Sequence, residues 1–190
     1  MDKELRQRRT LWTVLALNFG AFILEGVFGY IHNSRGLMAD GLDMFADVCA
    51  YGLSLYAIGK TMHTKERVGR AVAYSQIMLL LLGVMQIMRN YETPVWGTMI
   101  WVSVIALMVN AYCLYRLKGL DSSDANINAV VLCSSIDVLA NIGVILSAGF
   151  VFLFESFIPD LIISVIIYML IIHEIREMFE GSRCRCPKPA

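Results

Sequence analysis

Six apolar segments, each about 20 residues long, dominate the sequence. We number them spans 1 to 6; they cover roughly residues 10–31, 37–59, 69–88, 95–116, 126–149 and 152–175. A helix needs about 20 apolar residues to cross the hydrocarbon core of a bilayer. Of the 190 residues, 57% are hydrophobic and 17% are charged, and the mean hydropathy is +0.62. The sequence therefore predicts an all-α membrane protein with six transmembrane helices rather than a water-soluble domain.

The basic residues are concentrated in alternate connections between the spans. Fourteen of the 16 Lys and Arg residues precede span 1, separate spans 2 and 3, or follow spans 4 and 6, and only Arg35 and Arg89 lie on the other side. Cytoplasmic loops carry the excess of Lys and Arg, so we expect both termini in the cytoplasm. The net charge of zero gives no indication of a nucleic-acid partner.

The domain organisation follows from this topology. We expect a cytoplasmic N-terminal segment at 1–9, a six-helix transmembrane domain at 10–178, and a short cytoplasmic tail at 179–190. Only about 15 residues follow span 6, which is too short for a further folded domain. The expected location is the cytoplasmic membrane of a bacterial cell, as a multi-pass protein.

Span 2 carries three carboxylates on one helical face. Asp43 and Asp47 are four residues apart, and Asp40 lies three residues before Asp43. An Asp at the centre of a transmembrane helix costs roughly 2.5–3.5 kcal/mol on insertion scales. Span 2 contains no Lys or Arg to compensate, so protonation, water or a bound cation has to stabilise these side chains.

Span 5 repeats the spacing with Cys133 and Asp137, and Asn141 lies one further turn along the same face. If spans 2 and 5 face each other, Asp43, Asp47, Cys133 and Asp137 supply four donors at one level. A four-coordinate N/O/S set suits zinc, and the soft thiolate suits cadmium as well. A lone buried Cys is more often a small hydrophobe, but pairs on two separate spans favour a metal site.

These stretches resemble the cation diffusion facilitator family of divalent-metal/proton antiporters. "LMADGLDMFAD" resembles the ligand motif of the family's second helix, and "NINAVVLCSSIDVLANIGVI" that of its fifth helix. Glu25 and Gly29 in span 1 and "FIPD" before span 6 are similar too, so the resemblance covers roughly residues 12–178. It implies metal ligands at Asp43, Asp47 and Asp137, together with Cys133. We also expect spans 1, 2, 4 and 5 to surround the site.

Two departures from the family pattern affect what can be inferred. Cys133 stands where the family usually has a His, so the metal preference of relatives with His does not carry over. The family's cytoplasmic C-terminal domain is expected to be absent, which places the chain in a subset without it. A homodimer formed through transmembrane helices, with spans 3 and 6 at the contact, remains open.

The resulting hypothesis is proton-coupled export of zinc, cadmium or both by alternating access at a site between spans 2 and 5. The metal ion and protons are substrates, no cofactor is expected, and the protein is not expected to be an enzyme. Ligands bind metal only when deprotonated, so exchange of metal for protons is a property of such a site. Antiport of iron, manganese or another divalent cation is the alternative within the same fold. A membrane phosphotransferase that uses metal-bound carboxylates, or a scaffold or sensor, explains the motifs less well.

Other residues are weaker candidates for an accessory role. Glu25 could orient its neighbours or relay protons, and His63 in the loop after span 2 is more typical of a solvated histidine than of a ligand. Cys184 and Cys186 in "RCRCP" could bind a soft metal or belong to a flexible tail. The accessory candidates are Asp40, Glu25, Asn141, His63, Cys184 and Cys186. The physiological metal, the proton stoichiometry and the oligomeric state remain open at this point.

Overall fold

A computed structural model describes residues 2–57, 93–120 and 125–183, together with seven single residues at 67, 71, 74, 77, 78, 81 and 85. Within these ranges it does not describe the side chains of 2–4, 53, 54, 57, 125–130, 132, 133, 174 and 177–183. His63, Cys184 and Cys186 therefore lie outside the described residues, and so does the side chain of Cys133. Most of predicted span 3 lies outside them as well.

Five helices make up the described ranges. They are α1 (Asp2–Ile31), α2 (Arg35–Ala57), α3 (Trp96–Lys118), α4 (Ala125–Phe154) and α5 (Ile158–Arg183). They correspond to predicted spans 1, 2, 4, 5 and 6, and the described residues contain no strand. The all-helical prediction is thus confirmed.

Three of these helices contain a segment long and apolar enough to cross a membrane. The segments are Leu5–Ile31, Trp96–Lys118 and Ser134–Phe154, and α5 contains a shorter apolar segment, Ile158–His173. Helix α2 has 23 residues, but it carries three aspartates and is not among these segments. Six spans and the cytoplasmic position of both termini remain predictions.

Four helices form a closed ring. Helix α1 packs along α2 and also contacts α3, while α4 packs along α3 and also contacts α2. Helix α5 packs against α2 and α4 from outside this ring. The arrangement agrees with the expectation that spans 1, 2, 4 and 5 surround the site. Many large apolar side chains point outward, such as Trp12, Tyr115, Leu146 and Met169, as a chain surrounded by lipid requires.

Two clusters of buried side chains fill the bundle. The proximal cluster, near the start of α1, consists of Leu11, Val14, Tyr51, Cys113 and Leu117. The distal cluster consists of Leu37, Ala39, Met99, Val102, Ala140, Val144, Ala148, Val151, Ile167, Tyr168, Ile171 and Ile175. The buried carboxylates of α2 lie between Leu37 and Tyr51 in the sequence, so the two clusters occupy opposite ends of the helix that carries them.

Helices α1 and α2 approach each other closely where glycines face the partner helix. A Cβ added at Gly41 would lie 3.0 Å from the backbone nitrogen of Gly26, and one at Gly29 would lie 2.7 Å from Cγ of Met38. Real Cβ atoms rarely come this close to another atom, so glycine permits this packing. Asn33 in the connecting turn has a φ of 55°, a left-handed conformation that Asn adopts more readily than most residues.

The start of α2 is fixed to α5 by Asp160. Its carboxylate accepts hydrogen bonds from Ser34 Oγ at 2.9 Å, from the backbone N–H of Arg35 at 2.6 Å and from that of Gly36 at 3.0 Å. Ser34 Oγ also accepts the backbone N–H of Leu37 at 3.2 Å, as the first residue before a helix commonly does. We call Asp160, Ser34, Arg35 and Gly36 the Asp160 cap.

Candidate metal site

The three aspartates of α2 lie inside the protein. Asp40, Asp43 and Asp47 are 0%, 3% and 2% exposed. Their spacing on the helix predicted a shared face, and all three side chains are buried. Asp137 of α4, at 2% exposure, is buried as well. The carboxylates expected to bind metal are therefore removed from both lipid and water.

The decisive contact joins α2 to α4. The carboxyl groups of Asp47 and Asp137 lie within hydrogen-bonding reach of each other, which brings one residue of each predicted ligand pair together. On the other side of Asp47, the hydroxyl of Tyr51 donates to its Oδ2 at 2.5 Å. Asp43 lies one helical turn away and has Glu25 and Tyr168 as neighbours.

The fourth predicted ligand, Cys133, belongs to α4 one turn before Asp137. Its side chain lies outside the described residues, so the position of its sulfur relative to Asp47 and Asp137 stays a prediction. Among the described residues, no group of three or more His, Cys, Asp or Glu side chains is arranged to hold a metal ion. What the described side chains provide is the Asp47–Asp137 pair with Asp43 one turn from it.

The side-chain amide of Asn141 makes a hydrogen bond through its nitrogen but not through its oxygen among the described residues. Its Nδ2 donates to the backbone carbonyl of Asp137 at 2.9 Å, while its Oδ1 is buried and has no hydrogen-bond partner among the described residues. An amide oxygen is a ligand for hard cations, so Asn141 keeps its place among the accessory candidates.

A second pair of carboxyl groups lies between α1 and α2. Glu25 and Asp40 are both fully buried, and they are near enough to interact as charges and as a carboxyl–carboxyl contact. None of their four oxygens makes a hydrogen bond of good geometry to any described residue. The charged neighbours that act on Glu25 are Asp40 and Asp43, which are acidic too. Two neighbouring buried carboxyl groups are more stable when one of them carries a proton or when a cation lies beside them.

The structure adds residues that the sequence interpretation did not select. Tyr51 continues the stripe of Asp43 and Asp47 by four more residues, so that spacing could have indicated it. Asn18 of α1 donates from Nδ2 to the carbonyl of Val14 at 2.9 Å and to Cys113 Sγ at 3.8 Å. The contact with Cys113 joins residues 95 positions apart, and no local spacing in the sequence indicates it.

Comparison with known proteins agrees with the motifs. The family model for the cation efflux transmembrane domain matches residues 11–182. The chain belongs to the cation diffusion facilitator family. Members of this family are transporters rather than enzymes, and the chain is a multi-pass membrane protein.

Individual relatives are distant. The zinc transporter ZitB of Yersinia pestis is 24% identical over 177 residues, which cover 84% of this chain and 56% of that protein. ZitB of Escherichia coli K12 is 23% identical over 207 residues, covering 96% of this chain and 66% of that protein. An uncharacterised protein of Geobacillus stearothermophilus is 40% identical over 53 residues, 28% of this chain. The chain thus spans between about half and two thirds of the length of the zinc transporters that it matches.

Proposed function

We propose that this chain exports a divalent transition-metal cation, zinc or cadmium, from the cytoplasm in exchange for protons. The observation that carries the proposal is the contact between Asp47 and Asp137 across α2 and α4. In the proposed site, Asp43 and Cys133 complete the set of ligands around the cation. Family membership and the two relatives that are named zinc transporters support this choice of substrate.

The donor chemistry favours zinc and cadmium over harder cations. Three carboxylates and one thiolate would form a tetrahedral set with three oxygens and one sulfur. A thiolate selects softer metals than carboxylates do, which argues against magnesium or calcium as the cargo. Manganese and iron are the competitors within the same fold.

Coupling to protons follows from the contact between carboxyl groups. Two buried carboxylates side by side repel each other, and one shared proton relieves the repulsion when no cation is present. A dication that binds Asp47 and Asp137 takes over this role and releases the proton. When protons return to the site from the outer side, they displace the metal, so an inward proton gradient would drive export.

Alternating access requires the two ends of the ring to open in turn. The proximal cluster packs on the side of Asp47 that is nearer the start of α1, and its Leu11, Val14 and Leu117 are almost completely buried. The distal cluster packs at the other end, with Leu37 and Met99 fully buried. Buried carboxylates between two closed apolar clusters fit an occluded state, from which the ring would open to one side at a time.

The test is metal uptake into proteoliposomes that contain separate zinc and pH indicators. We expect Asp47→Asn and Asp137→Asn each to reduce zinc uptake at least about 100-fold, because loss of a ligand should exceed the 10–100-fold typical of outer-shell partners. Proton movement in step with zinc should disappear in the same variants. Competition with cadmium, manganese and iron would rank the substrates.

Ser135→Ala is the matched control. Ser135 lies two residues before Asp137 on α4, and its Oγ donates to the carbonyl of Val131 of its own helix at 2.7 Å. This variant should transport as the unmodified chain does. If Asp137→Asn transports normally, the assignment of the site is wrong. If zinc enters without any change in the internal pH, the site is a metal site but proton exchange is not its mechanism.

A further inference from the structure

Tyr51 takes part in two features of the molecule at once. Its hydroxyl donates to Asp47 Oδ2 at 2.5 Å, and its ring is fully buried in the proximal cluster with Leu11, Val14 and Leu117. Asp47 in turn contacts Asp137. Through Tyr51, the carboxyl pair is therefore directly connected to the apolar packing that closes one end of the ring.

The proximal cluster lies at the end of the ring that is predicted to face the cytoplasm. Leu11 and Val14 belong to the first part of α1, while Leu117 and Tyr51 belong to the last parts of α3 and α2. These helix ends carry the basic residues that predict the cytoplasmic side. A cation that enters from the cytoplasm has to pass this cluster before it reaches Asp47.

We propose that Tyr51 is a positioning residue that couples opening of the cytoplasmic end to release of the Asp47 carboxylate. While the proximal cluster is packed, the hydroxyl occupies Asp47 Oδ2 and the ring blocks the path. Tyr51 and Asp47 lie four residues apart on α2, so the step that couples the two events is a turn of the Tyr51 side chain out of the path as the cluster separates. This turn breaks the hydrogen bond, and Oδ2 becomes available as the path opens. The identification of Asp47 as a ligand and of this end as cytoplasmic rests on the proposed function.

A purely space-filling Tyr51 would behave differently. In that case the ring alone would matter, and Tyr51→Phe, which keeps the ring and removes the hydroxyl, would leave the closed state unchanged. Under the coupling proposal, the same substitution removes a hydrogen bond to a carboxylate that exists in the closed state. The closed state is then less favoured relative to the open one.

The reactivity of the Cys113 thiol distinguishes a coupling role of Tyr51 from a purely space-filling one. Cys113 lies in the proximal cluster, is 0% exposed, and can react with a maleimide only when the cluster opens. The experiment measures the rate at which N-ethylmaleimide modifies Cys113 in the full chain in membrane vesicles, with the modified peptide quantified by mass spectrometry. Tyr51→Phe should raise this rate about tenfold, in line with the loss of one charge-assisted hydrogen bond.

Two controls separate gating from general loosening of the fold. Tyr168→Phe removes the hydroxyl of another buried tyrosine, in the distal cluster, and should leave the Cys113 rate unchanged. A second reporter, Ala148→Cys, places a thiol in the distal cluster, where Ala148 is fully buried. Tyr51→Phe should not accelerate modification at this position.

The outcomes are distinguishable from those of the proposed function. An unchanged or slower Cys113 rate in Tyr51→Phe overturns the coupling, and so does equal acceleration at Cys113 and at the cysteine introduced at position 148. If the coupling fails while Asp137→Asn abolishes transport, the metal site stands without it. If Cys113 is selectively accelerated while Asp137→Asn still transports, the link between Tyr51 and the cluster stands and the metal site is wrong.

Discussion

The Asp160 cap and the Glu25–Asp40 pair differ in how the protein treats a buried carboxyl group. Asp160, Glu25 and Asp40 are each 0% exposed. Asp160 accepts three hydrogen bonds, two of them from the backbone at the start of α2. The oxygens of Glu25 and Asp40 have no well-formed hydrogen bond to any described residue.

The cap has the features of a structural site. The N-terminus of a helix carries unpaired N–H groups and a partial positive charge, and both favour a carboxylate. The guanidinium of Arg35 lies 5.2 Å from the centre of the Phe157 ring, so the same turn also binds the connection before α5. These contacts fix the position of α2 along its axis relative to α5.

The Glu25–Asp40 pair has the opposite features. A buried polar group without a partner costs free energy, and such groups are rare enough in native proteins to require an explanation. Their position on α1 and α2, with Asp43 close enough to act on Glu25, suggests that their partner is transient. A proton that passes to or from the proposed metal site would be such a partner.

The largest expected effect is on stability, from Asp160→Ala. This change leaves Ser34 Oγ and two backbone N–H groups without their acceptor, and each unsatisfied group costs about 1–3 kcal/mol. We expect the free energy of unfolding to fall by about 3 kcal/mol or more, as measured by SDS-induced unfolding in mixed micelles.

Asp160→Asn is the matched variant for the cap. It keeps one carbonyl acceptor and should recover part of the loss, and transport per folded molecule should remain close to that of the unmodified chain. A loss below about 1 kcal/mol in Asp160→Ala would show that water replaces the carboxylate, and that the cap is less important than its three hydrogen bonds indicate.

The Glu25–Asp40 pair should respond in the reverse manner. Glu25→Gln and Asp40→Asn keep the shape and remove an ionisable group, which also removes the repulsion between two neighbouring carboxylates. We expect the free energy of unfolding to fall by no more than about 1 kcal/mol, the size of one hydrogen bond. Zinc uptake should nevertheless fall about tenfold or more, as it does when outer-shell partners of metal sites are removed.

Measurement of both quantities on the same preparations tests the comparison itself. If Glu25→Gln destabilises the protein as much as Asp160→Ala, the pair is structural and the difference between the two regions disappears. If Glu25→Gln transports normally, the pair has no part in proton or metal movement.

The sequence was sufficient to predict the five described helices and the buried face of α2, but not all of the helix ends or most contacts between helices. Apolar length predicted α3 closely, at 95–116 against Trp96–Lys118. The predicted start of span 1 at residue 10 missed the first turns of α1, which begins at Asp2. Residues such as Glu4, Leu5 and Arg6 favour a helix in water, and hydropathy detects only the part inside the membrane.

Contacts between distant segments left no local signal. The resemblance of "FIPD" indicated Asp160, but its bond to Gly36 joins residues 124 positions apart. The pairing of Glu25 with Asp40 likewise depends on how α1 and α2 are rotated about their axes. Close approach at Gly29 and Gly41 determines that rotation, and a hydropathy pattern does not encode it. The Asp47–Asp137 contact is an exception, because both residues belong to four-residue spacings that repeat on two spans.

The smallest expected effect is a change of selectivity without loss of stability or transport, from Cys133→His. The cap depends on one carboxylate geometry, whereas a metal site accepts a nitrogen donor in place of sulfur if the number of ligands is kept. We expect the variant to transport zinc, and the preference for cadmium over zinc to fall about tenfold, which corresponds to about 1.4 kcal/mol. Uptake of both metals in competition measures this ratio.

Cys49→His is the control, because it introduces the same imidazole on α2 at a half-buried position outside the predicted ligands. It should leave the cadmium-to-zinc ratio unchanged. An unchanged ratio in Cys133→His would mean that the sulfur does not touch the cargo, and the ligands would then have to come from carboxylates and amides such as Asn141. Carboxylates and amides are harder ligands than a thiolate, so the expected substrates would shift from cadmium toward manganese or iron. The proposed metal site and the Asp160 cap would then both depend on oxygen atoms alone as acceptors.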